Sequence, residues 1–529
     1  MSKPRVLISD ALSPAAVQIF KDRGIDVTFD ASLGKDKDKL AAVIGDYDGL
    51  AIRSATKATA KLLESAKNLK VIGRAGIGVD NVDIPAATAK GVIVMNTPFG
   101  NSITTAEHAV AMMFALARQI PAADASTQAG KWEKNRFMGV ELEAKVLGVI
   151  GAGNIGSIVV RKAIGLGMRV IAYDPFLTAE RAKAMGIEKL ELDALLARAD
   201  FVTLHTPLTE KTKNILSREA LARTKKGVRI INCARGGLVD EQALADAIKS
   251  GHVAGAAFDV FSEEPATANP LFGLDNVVCT PHLGASTTEA QENVALQVAE
   301  QMSDYLLTGA ISNAVNFPSI GAEEAPKLRP FVALAEKLGS FLGQLTEAPV
   351  KAIRIQYEGH VADLNVRPMT AAAIAGVMRA FMPEVNMVNA PVAAKDKGIA
   401  IEEVKRAADS QFESRIFINV IAEDMERHAA GTVFQDGKPR IVEIRGIQMD
   451  AEFHPHMLYV RNFDKPGFIG AFGSLLGEEK VNIATFNLGR DQPGGDAICY
   501  VAVDEPVSDD LLAKINAIAQ VKRARRLAF

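Results

Sequence analysis

Arg235, Glu264 and His282 are the side chains in this 529-residue sequence whose types and placing suggest acid–base work on a charged small molecule. Arg235 lies in Asn232-Cys-Ala-Arg-Gly-Gly-Leu-Val-Asp240, Glu264 in Phe258-Asp-Val-Phe-Ser-Glu-Glu-Pro265, and His282 in Thr280-Pro-His-Leu-Gly-Ala-Ser286. Each segment follows a short apolar run that reads as a strand. Open parallel sheets bind ligands beyond the carboxyl ends of their strands. An arginine there can hold a carboxylate in a bidentate fork. A histidine can take a hydroxyl proton as hydride leaves the carbon, and a carboxylate beside it orients the ring and stabilises the imidazolium. The set suits hydride transfer at a hydroxy-acid carbon.

A hydride needs an acceptor, and Gly151-Ala-Gly-Asn-Ile-Gly156 supplies a place for one. The motif follows the expected strand Val146–Ile150 and opens an expected helix. Gly151 allows the tight turn, Gly153 lets the backbone approach a pyrophosphate, and Gly156 lets helix and strand pack closely. The helix amino terminus then presents free N–H groups to the phosphates. Arg169-Val-Ile-Ala-Tyr-Asp174 ends a further strand in an acid about 20 residues on, the spacing of a ribose-diol ligand. Pro175 follows with no adjacent arginine, so the expected cofactor is NAD rather than NADP.

These motifs need a scaffold. Strand candidates Val6–Ile8, Ile25–Phe29, Gly49–Ile52 and Leu69–Ile72 alternate with helical segments, which argues for a parallel sheet. A second strand–helix series runs from Lys145 to Cys279 in the doubly wound pattern. Between them the Ala- and Met-rich stretch Ser102–Gln119 reads as one long helix bridging two lobes, with Pro121 just past its end. Residues 313–326 read as linker. Beyond them come a helix over Val332–Leu345, a strand at Ala352–Tyr357 and a hairpin around Gln435-Asp-Gly437. The last stretch reads β-α-β-β-α-β, a ferredoxin-like module.

Composition narrows the function. The net charge of −3 (60 basic, 63 acidic residues) offers no bulk field for nucleic acid or an anionic membrane. The three cysteines form no CxxC pair, which argues against a redox dithiol or zinc ribbon. His454-Pro-His456 lacks an acid or thiol cluster, so no metal is expected. Neither a signal peptide nor a membrane span is expected, and a cytoplasmic protein follows. His108 and His205 read as structural.

Gly151–Gly156 with Asp174, Cys233–Asp240, Glu263-Glu-Pro265 and Pro281–Ala285 together resemble the D-isomer-specific 2-hydroxyacid dehydrogenases. Arg74-Ala-Gly-Ile-Gly-Val-Asp-Asn81 and Asn96-Thr-Pro-Phe-Gly-Asn-Ser102 are similar to their phosphoglycerate dehydrogenase branch, whose long form adds an intervening domain and a C-terminal ACT domain. The resemblance implies a Rossmann NAD domain, residues 98–284, inserted in a discontinuous α/β substrate domain, residues 1–97 and 285–315. It implies an α+β intervening domain at 318–452 and an ACT domain at 455–529. Arg235, Glu264 and His282 are then catalytic. Further NAD contacts fall on Ile77, Asn154, Ile155, Thr206, Cys233, Ala234, Asp259, Leu283, Gly284 and Ala285. Cys233 reads as a small residue near the nicotinamide, not a nucleophile.

The implied substrate is 3-phosphoglycerate. Arg53, Ser54 and Arg74 fall on positions that contact its charged groups, with surface salt bridging as the alternative for the arginines. Lys134 falls on a basic position that reaches across a dimer, and Asn101 on a substrate-contacting asparagine, with helix capping as its alternative. In the ACT module Asn462, Asp464 and Asn482 fall on positions where paired copies bind L-serine. The alternative is a module that only dimerises. A homodimer or homotetramer is expected. Gly437-Lys-Pro-Arg440 and Arg445 offer cations for a second phosphate ligand, or a solvated face. Two other functions stay open: a glyoxylate or hydroxypyruvate reductase, and a non-catalytic dinucleotide-sensing corepressor.

Overall fold

The computed structural model describes residues 3–321, 323–407, 412–423 and 425–529. Met1, Ser2 and Ala322 of the expected linker lie outside the described residues. The described residues build four sheets.

The first contains β1 (Arg5–Ile8), β2 (Asp26–Phe29), β3 (Gly49–Ile52), β4 (Val71–Arg74) and β5 (Ile93–Met95), all parallel, in the order β2-β1-β3-β4-β5. Every residue of β3 is buried, as expected for a parallel sheet covered on both faces. Strand β5 was not among the expected strands. Its three residues are too few to show a period, and it forms because β4 offers it an edge.

The second sheet contains β6 (Val146–Ile150), β7 (Arg169–Tyr173), β8 (Glu188–Lys189), β9 (Phe201–Leu204), β10 (Val228–Asn232), β11 (Val253–Phe258) and β12 (Val277–Cys279). All pair parallel in the order β12-β11-β10-β9-β6-β7-β8. The order reverses between β6 and β9, which opens a crevice at their carboxyl ends. In the first sheet the reversal lies between β1 and β3.

Helix Ser102–Arg118 connects these sheets. Met112, Met113 and Leu116 are buried in the core of the second sheet, each contributing about 1.5–3 kcal/mol on burial. The helix ends at Gln119 in a left-handed turn (φ 52°), and Ile120–Gln128 starts at once as a second helix. Pro121 therefore begins a helix, as its missing N–H allows in a first turn, rather than closing one. Helix Thr288–Thr308 carries the chain back to the first sheet, where Met302 packs against Gly49 and Gly73. Asn316 then accepts the Val94 N–H at 2.9 Å.

The third sheet holds β13 (Val350–Gly359), β14 (Ala400–Arg406), β15 (Ser414–Ala422), β16 (Glu426–Val433), β17 (Pro439–Ile444) and β18 (Ile447–Glu452). Its helix Ala325–Leu345 begins in the stretch read as linker, because Pro326 sits in a first turn, where it costs no hydrogen bond. The fourth sheet holds β19 (His456–Phe463), β20 (Ile483–Arg490), β21 (Asp496–Val503) and β22 (Val521–Ala528), antiparallel in the order β20-β21-β19-β22. Helices Phe468–Glu478 and Asp509–Asn516 cover one face. On the other, Tyr459 and Tyr500 meet Phe341 of the third unit edge-on at 5.7 and 5.8 Å.

Candidate active site

The glycine loop sits at the carboxyl end of β6. Gly151 has φ 93°, and a Cβ on Gly156 would lie 2.0 Å from the Gly151 carbonyl oxygen, so neither position tolerates a side chain. A Cβ on Gly153 would meet nothing within 4 Å: this glycine faces open space at the start of helix Asn154–Gly165. Asp174 closes the loop. One carboxylate oxygen accepts the Ala152 N–H at 2.8 Å and the other the Phe176 N–H at 2.8 Å. Open backbone, free helix N–H groups and a strand-end carboxylate fit a dinucleotide. Thr206 lies half-buried beyond β9, next to His205, whose buried imidazole is pushed down to about 4 by desolvation and stays neutral. Cys233 is buried, and burial pushes its thiol far above the usual range, which leaves it inert as a nucleophile.

His282 and Glu264 meet beyond β11 and β12. The ring Nδ1 lies 2.7 Å from a Glu264 carboxylate oxygen. That bond raises the His282 pKa above its ordinary value against the opposing effect of burial. Burial pushes Glu264 up, but the bonds from His282 and from the Phe261 N–H hold it below the usual range. His282 occupies the left-handed region (φ 56°), and its N–H donates to the carbonyls of Asp259 and Thr280 at 2.9 and 3.0 Å.

Asp259 explains how that conformation is held. Its fully buried carboxylate accepts from the Thr280 hydroxyl (2.6 Å), the Leu283 N–H (2.7 Å) and the Gly284 N–H (2.8 Å), with His108 Nε2 at 3.2 Å. Both oxygens are engaged in binding the loop that carries His282. Ala285 follows, half-buried. The pair lines a cavity of about 500 Å³ together with Phe261, Pro265, Phe272 and Cys279.

Three arginines converge opposite. Arg53 follows β3 at the reversal of strand order, its N–H held by Asp10 at 2.5 Å and its guanidinium on the Ala11 carbonyl at 3.1 Å. Ser54 is next to it, exposed. Arg74 ends β4. Burial, with Arg235 and then Arg53 nearby, brings its guanidinium down to about 10, and its Nε is buried without a partner. Arg235 reaches over from the second sheet, its Nε donating to Asp80 at 3.1 Å. Gly78 makes room: a Cβ there would lie 1.9 Å from Arg235 Nη2. Ile77 is half-buried beside it, its carbonyl accepting from Asn96 at 2.7 Å. Asn101 is buried at the start of helix Ser102–Arg118 but makes no capping bond, and its Oδ1 has no partner. Such a cationic pocket can hold a small acid bearing more than one negative group.

Other expected site residues are not drawn in by this chain. Lys134 is exposed, on a segment that runs on to Met138 beside Arg229 and Val253 at the amino ends of β10 and β11. In the fourth unit Asp464 accepts from Arg490 (2.9 Å) and the Gly494 N–H (3.0 Å), at one end of β20. Asn482 donates to Asp504 at 2.7 Å, at the other end, roughly 25 Å away along the strand. Asn462 is buried, its Oδ1 unpartnered. Arg440 is taken by Asp436, Asp450 and Glu452.

Sequence reasoning gave no role to Asp80, Asp10 or Glu241. Glu241 accepts from the Ser262 N–H and hydroxyl, both at 2.8 Å, and from Asn269 at 2.7 Å, gripping the loop that carries Glu264. In sequence it reads only as an acid in a helix first turn; Asp80 lies in the Arg74–Asn81 motif, the one signal that marks it.

Known proteins share these features. Residues 110–284 match the model of the D-isomer specific 2-hydroxyacid dehydrogenase NAD-binding domain, 327–445 that of the D-3-phosphoglycerate dehydrogenase intervening domain, and 456–520 that of the ACT domain. D-3-phosphoglycerate dehydrogenase from Synechocystis sp. is 42% identical over 98% of this chain and 94% of the relative. That from Bacillus subtilis is 40% identical over 98% of both. The chain belongs to the D-3-phosphoglycerate dehydrogenase family. As a member it is an oxidoreductase with NAD as cofactor. Among solved structures, D-lactate dehydrogenase from Aquifex aeolicus, complexed with NAD and lactic acid, superposes with TM-score 0.52 at 25% identity, covering 60% of this chain and 100% of that one. A glyoxylate reductase from Paecilomyes thermophila gives 0.55 at 27% identity over 60% and 99%. Among the described residues no helix is long and apolar enough to cross a membrane.

Proposed function

We propose that this chain oxidises 3-phospho-D-glycerate to 3-phosphooxypyruvate with NAD, the entry step of L-serine synthesis. The observation that carries the reading is the convergence of Arg53, Arg74 and Arg235 opposite the His282–Glu264 pair. Arg235 holds the substrate carboxylate and the oxygen that becomes the carbonyl, while Arg53 and Arg74 take the phosphate, with Ser54 and Asn101 serving the same substrate. Glu264 accepts from Nδ1, which leaves Nε2 as the base that takes the hydroxyl proton. The imidazolium that forms is stabilised by the same carboxylate. Gly151–Gly156 and Asp174 seat NAD, which accepts the hydride when bound. Residues 1–97 with 285–315 form the substrate side of the cleft and 98–284 the NAD side. Ile77, Asn154, Ile155, Thr206, Cys233, Ala234, Asp259 and the run Leu283–Ala285 line the dinucleotide.

The last unit serves as an L-serine sensor in a homodimer or homotetramer. Asp464 and Asn482 stand at opposite ends of β20, so a site using both needs a second copy. Lys134 likewise serves a neighbouring copy; the strongly exposed Trp132 (87%) and Met138 (78%) on its segment suit an interface.

Initial-rate NADH formation with 3-phosphoglycerate, with and without millimolar L-serine, tests the reading beside unphosphorylated D-glycerate. Strong preference for the phosphorylated acid supports it, and no activity on that acid overturns it. Rates indifferent to serine would leave the enzyme reading and remove the sensor.

A further inference from the structure

Glu241 opens helix Glu241–Lys249 and is only 9% exposed. Among the described residues no cation pairs with its carboxylate, and a buried charge without a counter-ion is unfavourable unless hydrogen bonds offset it. Three donors do so here, and all three come from the loop after β11: the Ser262 N–H and hydroxyl, and the Asn269 amide. Asn269 is itself fixed in orientation, because its carbonyl oxygen accepts the Leu271 N–H at 3.0 Å. Its NH2 group therefore faces Glu241, and both Glu241 oxygens meet donors.

The segment so held carries Glu264. Phe261, next to Ser262, donates its N–H to one Glu264 oxygen at 3.0 Å, and the other lies 2.7 Å from His282 Nδ1. Gly236 packs against the same segment, where a Cβ would collide with the Phe261 carbonyl. Arg235 immediately precedes it. The grip of Glu241 thus reaches the Glu264 carboxylate through two neighbouring residues, beside the turn that presents Arg235.

We propose that Glu241 is a positioning residue for the proton transfer, holding the Glu264 carboxylate on His282 Nδ1 through Ser262. The inference rests on the reading of His282 as the base. A neutral amide at position 241 would turn an NH2 group toward a loop that offers donors, so the loop would shift and Glu264 would loosen from His282. The Glu264 hydrogen bond is the largest influence on His282 and raises its pKa; burial lowers it, the charges of Glu264 and Asp259 raise it, and Arg235 lowers it. His282 and Asp259 are the charges acting on Glu264, and His108 faces Asp259 at 3.2 Å. Cys279, which feels the charge of Glu241, is pushed up to about 11, chiefly by burial, and stays a neutral thiol. With Glu264 displaced, burial and Arg235 pull the His282 pKa down.

NMR of the full-length chain labelled with 13C at histidine Cε1 tests this, the His282 signal being the one absent from His282→Gln. Glu241→Gln should move the His282 titration to lower pH, in the direction of Glu264→Gln. Turnover of 3-phosphoglycerate should fall about tenfold, with NADH affinity unchanged. Because Glu241 acts through Glu264, E241Q/E264Q should turn over no more slowly than Glu264→Gln alone. A His282 titration unmoved in Glu241→Gln, or losses that multiply in the double variant, overturns the proposal. If circular dichroism shows that Glu241→Gln does not fold, Ser262→Ala decides: it removes one of the three bonds and should shift His282 the same way by less, and no shift overturns the proposal. The titration needs no substrate. A parent chain that fails to oxidise 3-phosphoglycerate would therefore overturn the functional reading while the hold of Glu241 on the pair is still measured.

Discussion

Arg235 Nε donates to Asp80 at 3.1 Å, joining residues from two different sheets across the cleft. The bond spans 155 residues of sequence. Nη1 donates to the Ala234 carbonyl at 2.6 Å, and Nη2 lies over Gly78. The Asp80 side chain is 71% exposed, so the pair adds little to stability and serves orientation instead. Asp80→Asn should lower kcat/KM for 3-phosphoglycerate about fivefold, with thermal stability unchanged within about 0.5 kcal/mol. Steady-state kinetics beside a melting curve checks both; a large loss of stability would argue against the orienting role.

The His282–Glu264 bond sets a pH dependence. Glu264 raises the pKa of His282, and oxidation needs the neutral ring as base. The acidic limb of the kcat/KM profile should therefore lie above the ordinary imidazole value. Glu264→Gln removes the cause, so the limb should move to lower pH while the plateau falls by about 10²–10⁴. A limb that stays in place would assign the titration to another group.

Arg74 is half-buried, and its buried Nε has no partner among the described residues. Arg74→Gln should reduce the preference for 3-phosphoglycerate over D-glycerate about tenfold to a hundredfold, the value of a charge-assisted hydrogen bond. The ratio of kcat/KM for the two acids measures it. Equal losses on both substrates would move Arg74 from phosphate to carboxylate.

Gly78 has no space for a Cβ, which would stand 1.9 Å from Arg235 Nη2. Gly78→Ala should displace Arg235 and depress turnover, leaving NAD affinity intact. Fluorescence titration with NADH beside turnover separates the two; a parallel fall would show that the loop serves the dinucleotide.

Asp174 accepts from Ala152 and Phe176, so it both closes the glycine loop and awaits the ribose. Asp174→Ala should raise the NAD dissociation constant about tenfold and narrow discrimination against NADP. An unchanged NAD dissociation constant would refute the assignment.

Local sequence determined a great deal here. The glycine spacing dictates a strand–turn–helix whatever surrounds it, because its constraints are those of neighbouring residues. The ferredoxin-like order was legible because six short elements alternate at clear turn signals. The types of Arg235, Glu264 and His282, each after an apolar run, already named the chemistry. What only the tertiary structure decided concerns residues far apart in the chain. Asp80 meets Arg235, Glu241 grips Ser262, and Asp259 spends its carboxylate on the His282 loop; no period or spacing encodes such pairs. Strand β5 and the early start of helix Ala325–Leu345 likewise depend on an edge and a packing partner supplied from elsewhere.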